Sequence, residues 1–255
     1  MNTRIEAILF DLGNTLRVLY EDEAYQAEAK RKMAKLAGTD MDPEAFYDFI
    51  DCRYEGYRKW AFDTMREAPE TELWTKWLLP EGDHDRLKKN AIDLTFQYRQ
   101  TKGIRRVVKD GEEVVSKLHT RGYKLGIISN LITSLEVPDW LEESGLKPYF
   151  DPVVLSSVCG LRKPAKEIYL HAAELAGVKP ENIAYVGDNL GRDVTGAKEA
   201  GYAMNVIFIT PEKLSKKPFT DANRPEAVIF RFRELLEIFP GYPEINMEAI
   251  LPQNK

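Results

Sequence analysis

The chain has 255 residues, with 36 Lys plus Arg against 41 Asp plus Glu and a formal net charge of -5. That length allows one large domain, or a core with a second domain inserted in it. The acidic balance and the absence of a basic tail speak against a nucleic-acid partner, and apolar runs as short as residues 7–10 speak against a membrane span.

Residues 5–10, Ile-Glu-Ala-Ile-Leu-Phe, read as a strand that ends at Asp11. No leader is expected ahead of it, so the expected compartment is cytoplasmic. Residues 17–102 read as helix throughout. The stretch 24–37 is rich in Ala, Lys and Glu and stops at Gly38. Asp42-Pro43-Glu44 supplies an N-cap and a proline at the first helical position, for a helix running to about residue 62. Thr71 is placed as the cap of a short helix that Pro80 ends. Leu87, Ala91, Leu94 and Tyr98 share one face of a further helix, closed by Gly103. The aromatics Tyr54, Tyr57, Trp60, Phe62, Trp74 and Trp77 read mainly as the core of this helical insert. His84, His119 and His171 have no metal-ligand spacing. Cys52 and Cys159 cannot form a disulfide framework and read as packing residues.

Beyond residue 103 the pattern changes. Strand-like runs at 124–128, 152–155, 183–186 and 204–209 alternate with helical patterns ending at Gly122 and Gly177. This alternation implies an α/β fold with a doubly wound parallel sheet. The expected domains are therefore 1–16 and 103–239 for the core and 17–102 for an inserted helical unit. Residues 240–255 read as an irregular C-terminal arm.

In such a sheet, ligands lie beyond the carboxyl ends of the strands. Those ends carry Asp11-Leu12-Gly13-Asn14-Thr15, Ser129-Asn130, Lys163-Pro164 and Gly187-Asp188-Asn189 followed by Asp193. The set suits phosphoryl transfer. A carboxylate can attack phosphorus, and a cation and donors can hold the charged oxygens. Three carboxylates close together repel one another unless a cation intervenes, and Mg2+ prefers oxygen ligands.

These four segments, in this order, resemble the four motifs of the haloacid dehalogenase superfamily. The resemblance covers residues 5–16 and about 104–210, and the insert lies where that family carries a first-type helical cap. It implies that Asp11 is the nucleophile and a Mg2+ ligand, with Gly13 offering its backbone carbonyl to the metal. It implies that Asp188 is a second ligand and that Asp193 ligates or orients the metal. Ser129 and Lys163 would hold the phosphoryl group, with Asn130 in the same pocket. The implied function is a Mg2+-dependent phosphohydrolase acting on a small phosphorylated metabolite through an aspartyl-phosphate. One position departs from the pattern. Family phosphatases usually place an acid–base Asp two residues after the nucleophile, where this chain has Gly13. A 2-haloacid dehalogenase and a phosphate-binding protein with little turnover are the alternatives.

Overall fold

The computed structural model describes residues 4–216 and 218–241. The expected arm beyond Gly241 lies outside the described residues. Among the described residues there are eight strands: β1 Ala7–Phe10, β2 Arg17–Tyr20, β3 Ile104–Val107, β4 Lys124–Ser129, β5 Phe150–Leu155, β6 Ile183–Gly187, β7 Met204–Phe208 and β8 Ala227–Ile229. Six of them form a parallel sheet in the order β5-β4-β1-β6-β7-β8. This is the expected doubly wound α/β core.

Side chains alternate across each strand, and the packing follows that period. Ile8 and Phe10 of β1 join a core with Leu125, Ile127, Val186 and Val206. Ala7 and Leu9 face the other way, against Ile128, Ile168, Tyr185 and Ala197. β1 lies at the centre, between β4 and β6, and the chain builds outward from it first to one side and then to the other. A crevice opens at the carboxyl ends where the winding direction reverses, so Asp11, Ser129 and Asp188 converge there.

The insert is mostly helical. Its helices span Glu23–Ala37, Pro43–Thr64 and His84–Gln100, with shorter turns at 70–78. Asp22 and Asp42 cap the first two through their side chains, and Gly38 ends the first at φ 75°. Leu87, Ala91, Leu94 and Tyr98 are all buried in a separate hydrophobic core with Phe46, Ile50, Tyr57 and Trp74. Tyr54, Trp60 and Trp77 pack against that core, whereas Phe62 is 39% exposed.

The structure corrects several expectations. The stretch from 17 is not helical at its start. β2 pairs antiparallel with β3, Arg17 opposite Val107 and Tyr20 opposite Ile104, so the chain enters and leaves the insert through a two-stranded ribbon. Four residues with Leu19 and Tyr20 half exposed carry too weak an alternation to reveal this strand. β8 was also not expected, for the same reason of length. Thr71 caps nothing: it lies inside the Glu70–Glu72 turn, where its carbonyl accepts from the Thr75 hydroxyl. Cys52 is exposed rather than packed, while Cys159 does pack against the sheet.

Buried polar contacts tie the insert to the core. Glu67 accepts from Tyr57 of the insert and from Ser156 and Arg162 of the core. Glu70 accepts from the backbone N–H of Ser134 at 2.7 Å. No helix among the described residues is long and apolar enough to cross a membrane.

Candidate active site

Asp11 leaves β1 with its backbone N–H still bonded to the Val186 carbonyl at 2.8 Å, which fixes the start of the loop. Its side chain is buried. Oδ1 accepts from Lys163 Nζ at 2.6 Å, and Oδ2 is buried without a hydrogen-bond partner. Lys163 is fully buried and spends its three protons on Asp11, Tyr185 Oη at 2.7 Å and Asp193 Oδ1 at 2.9 Å. Such an ammonium is held in the interior only by partners of this kind. Asn130 holds the backbone of Lys163 at both ends. Its Oδ1 accepts from the Lys163 N–H and its Nδ2 donates to the Lys163 carbonyl, each at 2.8 Å.

Asp193 is equally engaged. Its Oδ2 accepts from the backbone N–H groups of Asp188 at 3.2 Å and Asn189 at 3.0 Å. A side chain at Gly187 would bring a Cβ to 2.5 Å from that same oxygen, so the close approach requires glycine. Burial alone would push the Asp193 carboxyl up, but Lys163 and Arg192 outweigh it and hold the group below the usual carboxylate range. Asp188 goes the other way. Burial first, then the charges of Asp11 and Asp193, push it up to about 6. Arg192 leans over all three carboxylates, 3.4 Å from Asp188 and Asp193 and 3.7 Å from Asp11.

One oxygen from each of Asp11, Asp188 and Asp193 lies within 4.8 Å of the others. An all-oxygen set, with one buried carboxylate oxygen lacking a partner, fits a hard divalent cation such as Mg2+. Asp11 also opens onto a cavity of about 260 Å3 lined by Gly13, Asn14, Ser129 and Asn130 and, from the ribbon and insert, by Arg17, Arg99 and Arg105. Apart from half-buried Asp188, the sequence-expected residues thus fall into two layers. Asp11, Gly13, Ser129 and Asn130 line the cavity, whereas Lys163 and Asp193 lie beneath it.

Sequence reading missed Tyr185, Arg192 and the arginines. Tyr185 looks like one more apolar strand residue until its hydroxyl is seen bridging Lys163 and the Ile128 carbonyl. Burial, then Asp193, pushes its ionisation well up, so it stays a neutral phenol. Arg192 stood inside a quoted motif, and its charge beside three carboxylates was the available signal. Glu21, Asp22 and Glu23, the acidic run that follows β2, do not line the cavity; Asp22 caps a helix instead.

The family model for haloacid dehalogenase-like hydrolases matches residues 5–201. The chain belongs to that family, and it is a hydrolase. It is 30% identical over 243 residues to a glyceraldehyde 3-phosphate phosphatase of Methanopyrus kandleri, covering 92% of this chain and 97% of that one. It is 29% identical over 212 residues to a ribulose-1,5-bisphosphate 5-phosphatase of Halopiger xanaduensis, covering 82% of this chain and 86% of the relative. Among solved structures, a 2-haloacid dehalogenase of Pseudomonas syringae superposes with a TM-score of 0.63 at 19% identity, covering 91% of this chain and 97% of that one. A phosphatase of the family from Thermococcus onnurineus gives a TM-score of 0.55 at 23% identity, covering 93% and 99%. Enzymes of both chemistries share the fold, so the choice between them rests on the site.

Proposed function

We propose that this protein is a Mg2+-dependent phosphatase of small phosphate esters that works through an aspartyl-phosphate on Asp11. The observation that carries the reading is the state of Asp11. One oxygen is fixed by Lys163, the other is buried and unbonded, and two further carboxylates stand within ligand distance. A dehalogenase would use Asp11 on carbon without a metal, so a cluster of three carboxylates within ligand distance favours the phosphatase. Relatives of nearly full length that are named phosphatases support the same choice.

Asp11, Asp188 and the Gly13 carbonyl would hold the metal, with Asp193 orienting them through the backbone of Asp188. The metal would supply positive charge to the phosphoryl oxygens. An oxygen of Asp11 attacks phosphorus in line, the bond to the ester oxygen breaks, and the alkoxide leaves. Water then attacks phosphorus, releasing inorganic phosphate and the Asp11 carboxylate. Ser129 donates to a phosphoryl oxygen. Lys163 acts from beneath by its charge and by fixing Asp11, because its three protons are already engaged. Among the described residues, the cavity lining holds no carboxyl group besides Asp11, so the leaving group takes its proton from water. The helical insert would act as the cap, with its boundaries at the β2–β3 ribbon, and exclude water during attack.

A screen of phosphate esters with and without Mg2+ tests this. Phosphate release that requires Mg2+ supports it. Halide release from 2-haloacids in the absence of Mg2+, without phosphate release, would replace it with the dehalogenase reading.

A further inference from the structure

Besides Asp11, the cavity is lined by a cluster of guanidinium groups that the reaction above does not use. Arg17 and Arg105 come from β2 and β3, Arg99 from the last turn of the His84–Gln100 helix, and Glu136 from the start of the Glu136–Glu143 helix. Glu136 accepts from Arg99 Nε at 2.8 Å, stands 3.1 Å from Arg105 Nε, and also pairs with Arg17 Nη2. Three cations share one carboxylate, which leaves two formal positive charges at the wall of a small cavity.

The donors are not equally engaged. Arg105 also donates to the Gly103 and Arg99 carbonyls, at 3.2 and 2.9 Å. Arg17 is 4% exposed, and its Nη1 is buried with no partner. An orphaned guanidinium donor costs free energy that an anion would recover. Crowding is visible in the electrostatics too. Burial, then Arg99, pulls Arg105 down to about 9, which still leaves it charged at neutral pH. A cluster whose task was only to hold Glu136 would need fewer cations.

We propose that the cavity takes phosphate esters bearing a second anionic group, a carboxylate or a further phosphate, which Arg17 binds with help from Arg99 and Arg105. This rests on the phosphatase reading and adds a substrate class to it. The ester phosphate lies over Asp11 and the second anion faces the arginines. Guanidinium suits both candidates, because its planar fork matches carboxylate and phosphate oxygens.

The test uses the full chain, with phosphate release as the readout. Phosphoglycolate and ethylene glycol bisphosphate are each compared with ethylene glycol monophosphate, which lacks the second anion. For the wild type, kcat/KM is expected to be about tenfold to a hundredfold higher for at least one of the two, as a charge-assisted hydrogen bond allows. A preference for phosphoglycolate assigns the second group as carboxylate, and one for the bisphosphate assigns it as phosphate. Arg17→Gln should collapse the ratio towards one, and Arg17→Lys should restore part of it. A wild-type ratio near one, with the monophosphate and nitrophenyl phosphate turned over well, overturns the inference and leaves the phosphatase reading intact. A ratio that survives in Arg17→Gln overturns the role of Arg17. Turnover of no ester removes the phosphatase reading, and this inference with it. The wild-type ratio decides alone if the variants do not fold.

Discussion

The two ends of the cavity carry opposite imbalances of charge. At the strand tips, three carboxylates face two cations, Lys163 and Arg192. At the other end, three guanidiniums face the single carboxylate of Glu136. The first end lacks positive charge and the second lacks negative charge. A divalent cation would correct the one and a substrate anion the other. On the proposed function, chemistry belongs to the acidic end and recognition to the basic end. Substitutions at the two ends should therefore fail in different ways.

The largest effect is expected at the acidic end. Asp11→Asn should lower kcat on nitrophenyl phosphate by at least about 10³, because an amide is a poor nucleophile. The fold should survive, since Lys163 keeps Tyr185 and Asp193 as partners. A melting curve near that of the wild type, together with lost turnover, is the expected pair of results. Turnover at the wild-type rate would place the nucleophile elsewhere.

The two ends also differ in how readily the sequence discloses them. Asp11, Ser129, Lys163 and Asp188 each follow a strand within a short motif, and the strand pattern alone brings them to one edge of the sheet. The basic end has no motif. Arg17 and Arg105 stand on a ribbon too short for its alternation to be seen, and Arg99 comes from a helix of the insert. Glu136 lies in a helix of the core, 37 residues on from Arg99. The antiparallel pairing of β2 with β3 brings Arg17 and Arg105 together, and two helices distant in sequence add Arg99 and Glu136. The sheet was legible because parallel strands buried on both faces read as apolar runs. β2 and β8, being short and partly exposed, do not.

At the basic end the expected failure is one of stability. Glu136→Gln leaves three guanidiniums, two of them buried, without their counter-charge, and breaking a buried ion pair on one side typically costs about 3–5 kcal/mol. Burial would push the Glu136 carboxyl up, but Arg99, Arg17 and Arg105 bring it down to about 2 from an ordinary 4.5. A group whose value is depressed on folding stabilises the fold above its unfolded value and loses that contribution as the pH falls through the folded one. That shift corresponds to about 3 kcal/mol. Denaturant unfolding should therefore show a constant gap between wild type and variant from pH 7 to about pH 5. The gap should close as the pH approaches 2. A gap that persists at low pH would mean that Glu136 acts by shape rather than by charge.

Gly13 sharpens the chemical half of the comparison. Its φ lies outside the left-handed region, and a Cβ built there meets no atom within 4 Å. The backbone there therefore tolerates a side chain. A positioned acid or base is typically worth about 10²–10⁴ in rate, and among the described residues no carboxyl group besides Asp11 lines this cavity. With nitrophenyl phosphate, whose leaving group needs little protonation, the wild type should show a burst followed by slow hydrolysis of the aspartyl-phosphate. Gly13→Asp should speed the slow phase by about 100-fold, the lower end of that range, at an unchanged melting temperature. A stable variant without acceleration, beside a wild type without a burst, would show that the acid–base step is already served.

The smallest effect probes the charge deficit of the acidic end directly. Ligand binding to the folded state alone stabilises by mass action, by about 1.4 kcal/mol when Mg2+ is tenfold above its dissociation constant. The wild type should therefore melt a few degrees higher in Mg2+. Asp188→Ala removes one carboxylate of the three and should abolish most of the shift. Arg192→Gln should act in the opposite sense. The guanidinium stands within 4 Å of all three carboxylates and opposes a second cation among them by simple repulsion. Taking that charge away leaves Lys163 as the remaining cation against three carboxylates, so Mg2+ should bind several-fold more tightly, and the midpoint of a thermal-shift titration should move to lower Mg2+. A midpoint that moves to higher Mg2+ would show that Arg192 holds the carboxylates in their binding arrangement rather than competing for them, and an unchanged midpoint would place the metal away from its reach.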